Sequence, residues 1–197
     1  MKNNDATLKR AIDAGDVPGV VGVVANGSGT QYEGAFGARR LNSETPMTLD
    51  TVFRIASMPK AVASVAAMQL YEKDAFSLDQ PANEILPDFH NPSVLQSFTD
   101  EGKPQLRPAS STLTPRHLLT HTAGFGYEMW NSDLGKYQET TGQPGITSGQ
   151  KSSLRMPLVC DPGSEWIYGI STDWVGMLVE AISGKTLGGY LREHVFE

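Results

Sequence analysis

The sequence predicts an α+β protein: a leading helix, an antiparallel sheet, then a mostly helical block. Three observations carry that expectation. A short helical segment is followed directly by two β-type runs rather than by an alternation of strand and helix, which disfavours the doubly wound folds. The runs VVGVVA and TQYEGAFG flank Asn26-Gly-Ser-Gly29, a hairpin turn in composition. Residues 54–73, RIASMPKAVASVAAMQLYEK, hold a long apolar run of helical length without glycine.

Each element follows in chain order. Residues 4–14 form an amphipathic helix with Leu8, Ala11 and Ile12 on one face, broken by Asp16 to Pro18. VVGVVA reads as a buried strand and TQYEGAFG as its return. TVFRIA (51–56) reads as a third short strand entering a helix buried nearly all round. Residues 74–113 look irregular. Thr114-Pro115 is a helix start, threonine as cap and proline at the first helical position. Residues 131–153, rich in Gly, Thr, Ser and Gln, read as a long surface loop. Ser171 or Thr172 opens an amphipathic helix with the stripe Trp174, Val175, Leu178, Val179 and Ile182, ended by Gly184. A last helix over about 186–195 turns Leu191, Val195 and Phe196 inward. The chain divides into residues 1–56, the first helix and strands, and 57–197, the helical region.

Composition narrows the function classes. The 197 residues suffice for one domain with a core or two small ones. A net charge of −6 without a Lys/Arg cluster argues against a nucleic-acid partner. The longest apolar run is broken by Lys60, Ser64 and Gln69, so no membrane span is expected. The polar start lacks a secretory signal pattern, and the single cysteine, Cys160, permits no internal disulfide; a cytoplasmic location is expected. The histidines are dispersed, and no metal site is expected.

The chemistry-bearing pattern is Ser-x-x-Lys, which occurs twice. Ser148 and Lys151 lie in the polar loop, where the lysine is solvated and has no reason to act as a base. Ser57 and Lys60 open the apolar helix, and their spacing sets both on one face with Ser64. Burial and the helix N-terminus both push Lys60 toward its neutral form, in which it can take the serine proton. The alternative is a helix cap with a lysine that snorkels to the surface. Tyr168, between Trp166 and Trp174, sits just before a helix and is either packing or a proton relay near a cation. His121 tempts a Ser-His-Asp reading, but Gly169-Ile-Ser-Thr-Asp173 fails the Gly-x-Ser-x-Gly elbow. His121 is therefore expected to hold the loop after its helix.

Ser57-Met-Pro-Lys60, LTPRHLLTHTAGF and PGSEWIYGISTDWVGMLVEAISGKTL, in this order, resemble the serine β-lactamase-like hydrolases. These include class C β-lactamases, D-aminopeptidases and family VIII carboxylesterases. The resemblance implies a β-lactamase/penicillin-binding-protein-like fold, an antiparallel sheet flanked by helices plus a helical subdomain. It also implies Ser57 as nucleophile, Lys60 and Tyr168 sharing base and acid duty, half an oxyanion hole from the Ser57 N–H, and no metal or organic cofactor. Where class C enzymes carry asparagine, two residues after the tyrosine, this chain has Ile170. That brings the resemblance nearest to the carboxylesterases and implies weak action on β-lactams. Phe125, Tyr127, Trp130 and Ile170 are the expected substrate walls.

The reading is a serine carboxylesterase for small or medium acyl esters. The alternatives are a β-lactamase, a D-amino-acid amidase or peptidase, or an acyltransferase of the same fold, and, from another class, a non-catalytic relative that binds acyl or peptide ligands. The third motif and late strands of the family do not occur in these residues. The chain is therefore expected to be the N-terminal part of the fold, completed by a complementary C-terminal polypeptide; homo-oligomerisation is left open.

Overall fold

A helix, α1 (Lys2–Asp13), and two strands, β1 (Gly19–Asn26) and β2 (Gly29–Gly37), form the first of two units, which ends at Ile55. The structure is a computed structural model and describes residues 2–197. The strands pair antiparallel from Gly19 opposite Gly37 to Asn26 opposite Gly29, with a bulge after Val24. The Asn26 side chain accepts from the Ser28 N–H at 2.8 Å, closing the turn. Leu8 lies over Gly22 and Ile12 over Gly37, so the apolar face of α1 rests where the strands lack side chains. Asp5 accepts from the Tyr32 hydroxyl at 2.8 Å.

Two expectations fail in this unit. β1 is half-covered only in its first half, and Val23 and Val24 are exposed. TVFRIA forms no strand: residues 51–55 enter no strand pairing among the described residues, and Val52 is exposed. β-branched propensity needs a partner edge to become a strand, and none is offered here.

The second unit runs from Ala56 to Glu197. Its helices are α2 (Pro59–Tyr71), α3 (Pro115–Leu119), α4 (Ser132–Thr141), α5 (Ser171–Ser183) and α6 (Leu187–Leu191). Its strands are β3 (Ser93–Phe98) and β4 (Pro104–Pro108), an antiparallel pair within the stretch expected to be irregular. Leu158 bridges the other side of β3, accepting from the Leu95 N–H and donating to the Ser93 carbonyl, each at 2.8 Å. α4 likewise replaces part of the expected loop. Asn131 caps it by accepting from the N–H groups of Asp133 and Leu134, and Leu134 is wholly buried.

α5 is the spine of the core. Trp174, Val175, Leu178 and Val179 are buried against the Ala66, Ala67 and Leu70 face of α2 and against Leu118 of α3. Each such aliphatic side chain contributes about 1.5–3 kcal/mol by burial. Phe89, Phe125 and Trp174 form an aromatic block, with Phe89 and Trp174 centroids 4.5 Å apart. α2 is therefore buried on one face only; Ala61 and Val65 are exposed. Thr114 caps α3 as expected, and Gly184 ends α5 in the left-handed region at φ 67°. The last helix is short and continues as a π-turn (Arg192–Phe196). Leu191 and Val195 are half-buried, whereas Phe196 is exposed, against expectation.

Candidate active site

Ser57 sits in the turn that feeds α2, where its carbonyl accepts from the Lys60 N–H at 3.1 Å. Ala56, just before it, is held in the left-handed region at φ 47°, a conformation that an alanine rarely adopts and that cores and turns must enforce. Pro59 opens the helix, and the three-residue spacing brings Lys60 Nζ to 3.5 Å from Ser57 Oγ. Ser57 is exposed and Lys60 half-buried. The Ser57 N–H has no hydrogen-bond partner among the described residues.

The other groups arrive on two loops laced together. Val159 N–H bonds the Gly124 carbonyl, Gly163 N–H bonds Thr122, and Ile167 N–H bonds His121, each at 2.8 Å. The loops touch most closely at Gly169, where a Cβ would lie 2.3 Å from the Phe125 carbonyl oxygen. Only glycine permits this approach. The result places Tyr127 and Tyr168 with ring centroids 5.8 Å apart. Lys60 Nζ donates to the Tyr127 hydroxyl at 3.0 Å, and it lies 5.2 Å from the centroid of the Tyr168 ring.

Electrostatics corrects one expectation. Burial works to lower Lys60, but the oxygens of Tyr127 and Tyr168 outweigh it, and its pKa is raised. Lys60 is thus held as the ammonium, not as the neutral amine. Tyr168 is lowered, first by the Ser57 hydroxyl that faces it and then by Lys60, after burial is overcome. Tyr127 is raised by burial, which exceeds the opposing pull of Lys60. Burial pushes Asp173 up, against the attraction of Lys60. His121 is lowered by burial and by the Lys60 charge.

Aromatic rings enclose Tyr168. Trp130 stacks on it at 5.7 Å and Trp166 at 6.1 Å, both indoles being exposed, and the His121 ring lies at 4.8 Å. His121, itself left-handed at φ 57°, has Nε2 3.4 Å from Thr172 Oγ1, and its buried Nδ1 has no hydrogen-bond partner among the described residues.

Of the residues singled out in the sequence, the structure brings together Ser57, Lys60, Tyr168, Tyr127 and Trp130. It does not bring Phe125 and Ile170 to the site surface: they are 3% and 1% exposed and belong to the core. Phe125 is drawn inward by Phe89 and Trp174, and Ile170 by its place at the head of α5. Trp166, stacked on Tyr168, and Asp173, within the field of Lys60, join the site beyond the residues expected from the sequence. Trp166 was legible, since residues two apart in an extended segment share a side with Tyr168. Tyr127, expected as a substrate wall, instead accepts from Lys60, and nothing in its sequence position announces that bond. Among the described residues, no group of three His, Cys, Asp or Glu side chains is placed to hold a metal ion.

Comparison with known proteins agrees with this geometry. The family model described as Beta-lactamase matches residues 4–197. Acyltransferase mokF of Monascus pilosus is 36% identical over 99% of this chain and 49% of its own length. Lovastatin esterase of Penicillium rubens is 32% identical over 98% of this chain and 50% of its own. The unliganded structure of simvastatin synthase (LovD) from Aspergillus terreus superposes with a TM-score of 0.83 at 35% identity, covering 97% of this chain and 50% of that one. The chain spans about half the length of the curated relatives it matches.

Proposed function

The chain belongs to the beta-lactamase family, and we propose that it carries the nucleophile half of a serine acyl hydrolase acting on carboxylic esters. The observation that carries this reading is the convergence of Ser57 Oγ, Lys60 Nζ at 3.5 Å and the lowered Tyr168 phenol on one point. A serine hydroxyl is a poor nucleophile until an adjacent base removes its proton. Tyr168, faced by the Ser57 hydroxyl and the Lys60 ammonium, is the base. Lys60 stabilises the phenolate and relays protons. Ser57 attacks the acyl carbonyl and the alcohol departs, leaving an ester on Ser57 that water then cleaves. The Ser57 N–H supplies one donor to the oxyanion; such donors contribute about 10²–10³ in rate each.

Acyl transfer to an alcohol is the second reading, favoured by relatives named acyltransferase and methylbutanoyltransferase. It uses the same acyl-enzyme and differs only in what deacylates it. We infer further that polypeptide beyond these 197 residues completes the sheet and the site. The relatives' doubled length supports this, as does a β1–β2 sheet that has two strands among the described residues.

The test is a pre-steady-state burst. On mixing with a p-nitrophenyl ester, the full-length protein should release about one equivalent of p-nitrophenol rapidly. Intact-mass measurement should find the acyl group on the peptide containing Ser57. A binder without turnover gives neither, and that result would remove the enzymatic reading.

A further inference from the structure

We propose that Tyr127 is the hydroxyl that protonates the departing alcohol. This rests on the serine hydrolase reading above and adds a group to it. Lys60 Nζ donates to the Tyr127 oxygen at 3.0 Å. That oxygen is the acceptor, so the Tyr127 O–H proton must point away from the ammonium. Among the described residues, the Tyr127 hydroxyl has no acceptor for it. A half-buried phenol that shares Lys60 Nζ with the nucleophile, at 3.0 Å against 3.5 Å, and has an unclaimed proton is placed to give it to a bound oxygen.

The electrostatics also divides labour. Lys60 and Asp173 act on both phenols, and Ser57 acts on Tyr168 but not on Tyr127. Trp130 meets the Tyr127 ring edge-on at 5.3 Å and fixes its orientation. The two phenols are pushed in opposite directions, Tyr127 up by burial and Tyr168 down by Ser57. Titratable pairs driven apart in this way are how acid and base roles separate. A phenol raised above its ordinary value is still far more acidic than an aliphatic alcohol, so the transfer to an alkoxide is downhill.

The protons balance. The Ser57 proton passes to the Tyr168 phenolate as Oγ bonds to the acyl carbon. The bond from that carbon to the alcohol oxygen breaks, and this oxygen takes the Tyr127 proton. Lys60 returns a proton to Tyr127 and receives one from Tyr168. One acyl-enzyme and one neutral alcohol result, with all three relay groups restored.

The experiment compares kcat/KM for an ethyl ester and a p-nitrophenyl ester of the same acid, using the full-length protein. An alkoxide needs a proton to leave; p-nitrophenolate leaves as the anion. Tyr127→Phe should lower the ethyl-to-aryl ratio by about 10²-fold or more. Tyr168→Phe should depress both esters and leave that ratio within about tenfold, because it removes attack and not departure. An unchanged ratio in Tyr127→Phe, whether both esters fall together or neither falls, overturns the proposal. Should the phenylalanine variant not fold, 3,5-difluorotyrosine at 127, similar in shape but more acidic, must move the ratio, up at a pH where its phenol keeps the proton and down where the phenol has lost it; a ratio unmoved across the pH range overturns it equally. Failure of the underlying reading looks different: Ser57→Ala would then keep the burst, or the unmodified protein would show none.

Discussion

Lys151 Nζ donates to the Glu180 carboxylate at 2.5 Å, so the lysine of the second Ser-x-x-Lys is committed to an ion pair across a loop. Lys60, in the same spacing, instead faces two phenols and a serine. Identical motifs therefore stand in different electrostatic surroundings. Ser57→Ala should abolish the burst and lower turnover by several orders of magnitude, whereas Ser148→Ala should change kcat/KM by less than about twofold, given that groups acting as a unit fail together. Ester hydrolysis with both variants and circular dichroism check this; comparable losses would sink the assignment.

The pH profile follows from the same geometry. Tyr168 must be deprotonated to act and is lowered from 10.0, so activity rises as pH climbs through a value below 10.0. Lys60 must be charged and is raised from 10.5, so activity is lost only above that. kcat/KM should thus be maximal on the alkaline side, the two apparent values belonging to the coupled set. Tyr168→Phe should remove the rising limb. A profile that instead rises through the ordinary histidine range and is flattened by His121→Ala would hand the base role to His121.

Gly169 sets the distance between the two site loops. A Cβ there would lie 2.3 Å from the Phe125 oxygen and 2.7 Å from Gly126 backbone atoms, none of which can swing aside. Gly169→Ala should cost about 1–3 kcal/mol of stability by overpacking. Displacing Tyr168 by an ångström should lower kcat/KM about 10²-fold. Gly188→Ala, within α6 and with nothing inside 4 Å, is the control and should be neutral or stabilising by about 1 kcal/mol. Thermal melts and steady-state kinetics on the pair give the answer.

The sequence made legible what is set locally. The Asn26–Gly29 turn, the Thr114 cap, the Gly184 stop and the three-residue step from Ser57 to Lys60 all depend on neighbours in the chain. What it hid is set by tertiary partners. β3 and β4 carry a strand pattern blurred by Pro104 and Pro108, and Leu158 supplies β3's second edge from far along the chain. α4 is poor in helix formers, and its cap and the burial of Leu134 hold it. The bond from Lys60 to Tyr127 spans 67 positions and reverses the expected protonation of the lysine. Phe125 and Ile170 turn to the core and not to the site, a choice the sequence hides because an apolar residue beside a site loop looks the same whether it faces substrate or core.

Asp161 anchors the β4 hairpin to the loop leading to Tyr168. It accepts from both Arg107 Nη atoms at 2.8 and 2.7 Å and from the Ser110 N–H at 2.7 Å. The guanidinium beside it holds the carboxyl well below the ordinary range. A depressed folded pKa contributes stability above the unfolded value, about 3.9, which is lost as pH falls toward the folded one. Asp161→Asn should therefore lower Tm at neutral pH, and the gap to the parent should narrow below about pH 4. Melting curves across that range decide; a gap independent of pH would show that the charge plays no part.

Ile170 offers the sharpest correction to the reading from sequence, which gave it the role of a substrate wall in place of asparagine. At 1% exposure it contacts core, and substrate has no access to it. Asparagine there would forfeit about 1.5–3 kcal/mol of aliphatic burial. Its amide would go unpaired, at about 1–3 kcal/mol more. An asparagine cap on α5 would return only about 1 kcal/mol, and that needs extended backbone. Ile170 has φ −77° and ψ 9°, outside that region, so the cap bond does not form. The losses win, and Ile170→Asn should destabilise the protein by about 2.5–6 kcal/mol. Ile170→Val, which keeps the site apolar, should cost about 0.5–1.5 kcal/mol. Denaturant melts measure both, and turnover of nitrocefin against a p-nitrophenyl ester measures specificity. An Ile170→Asn protein that melts like its parent and gains nitrocefin turnover would return the side chain to the substrate surface.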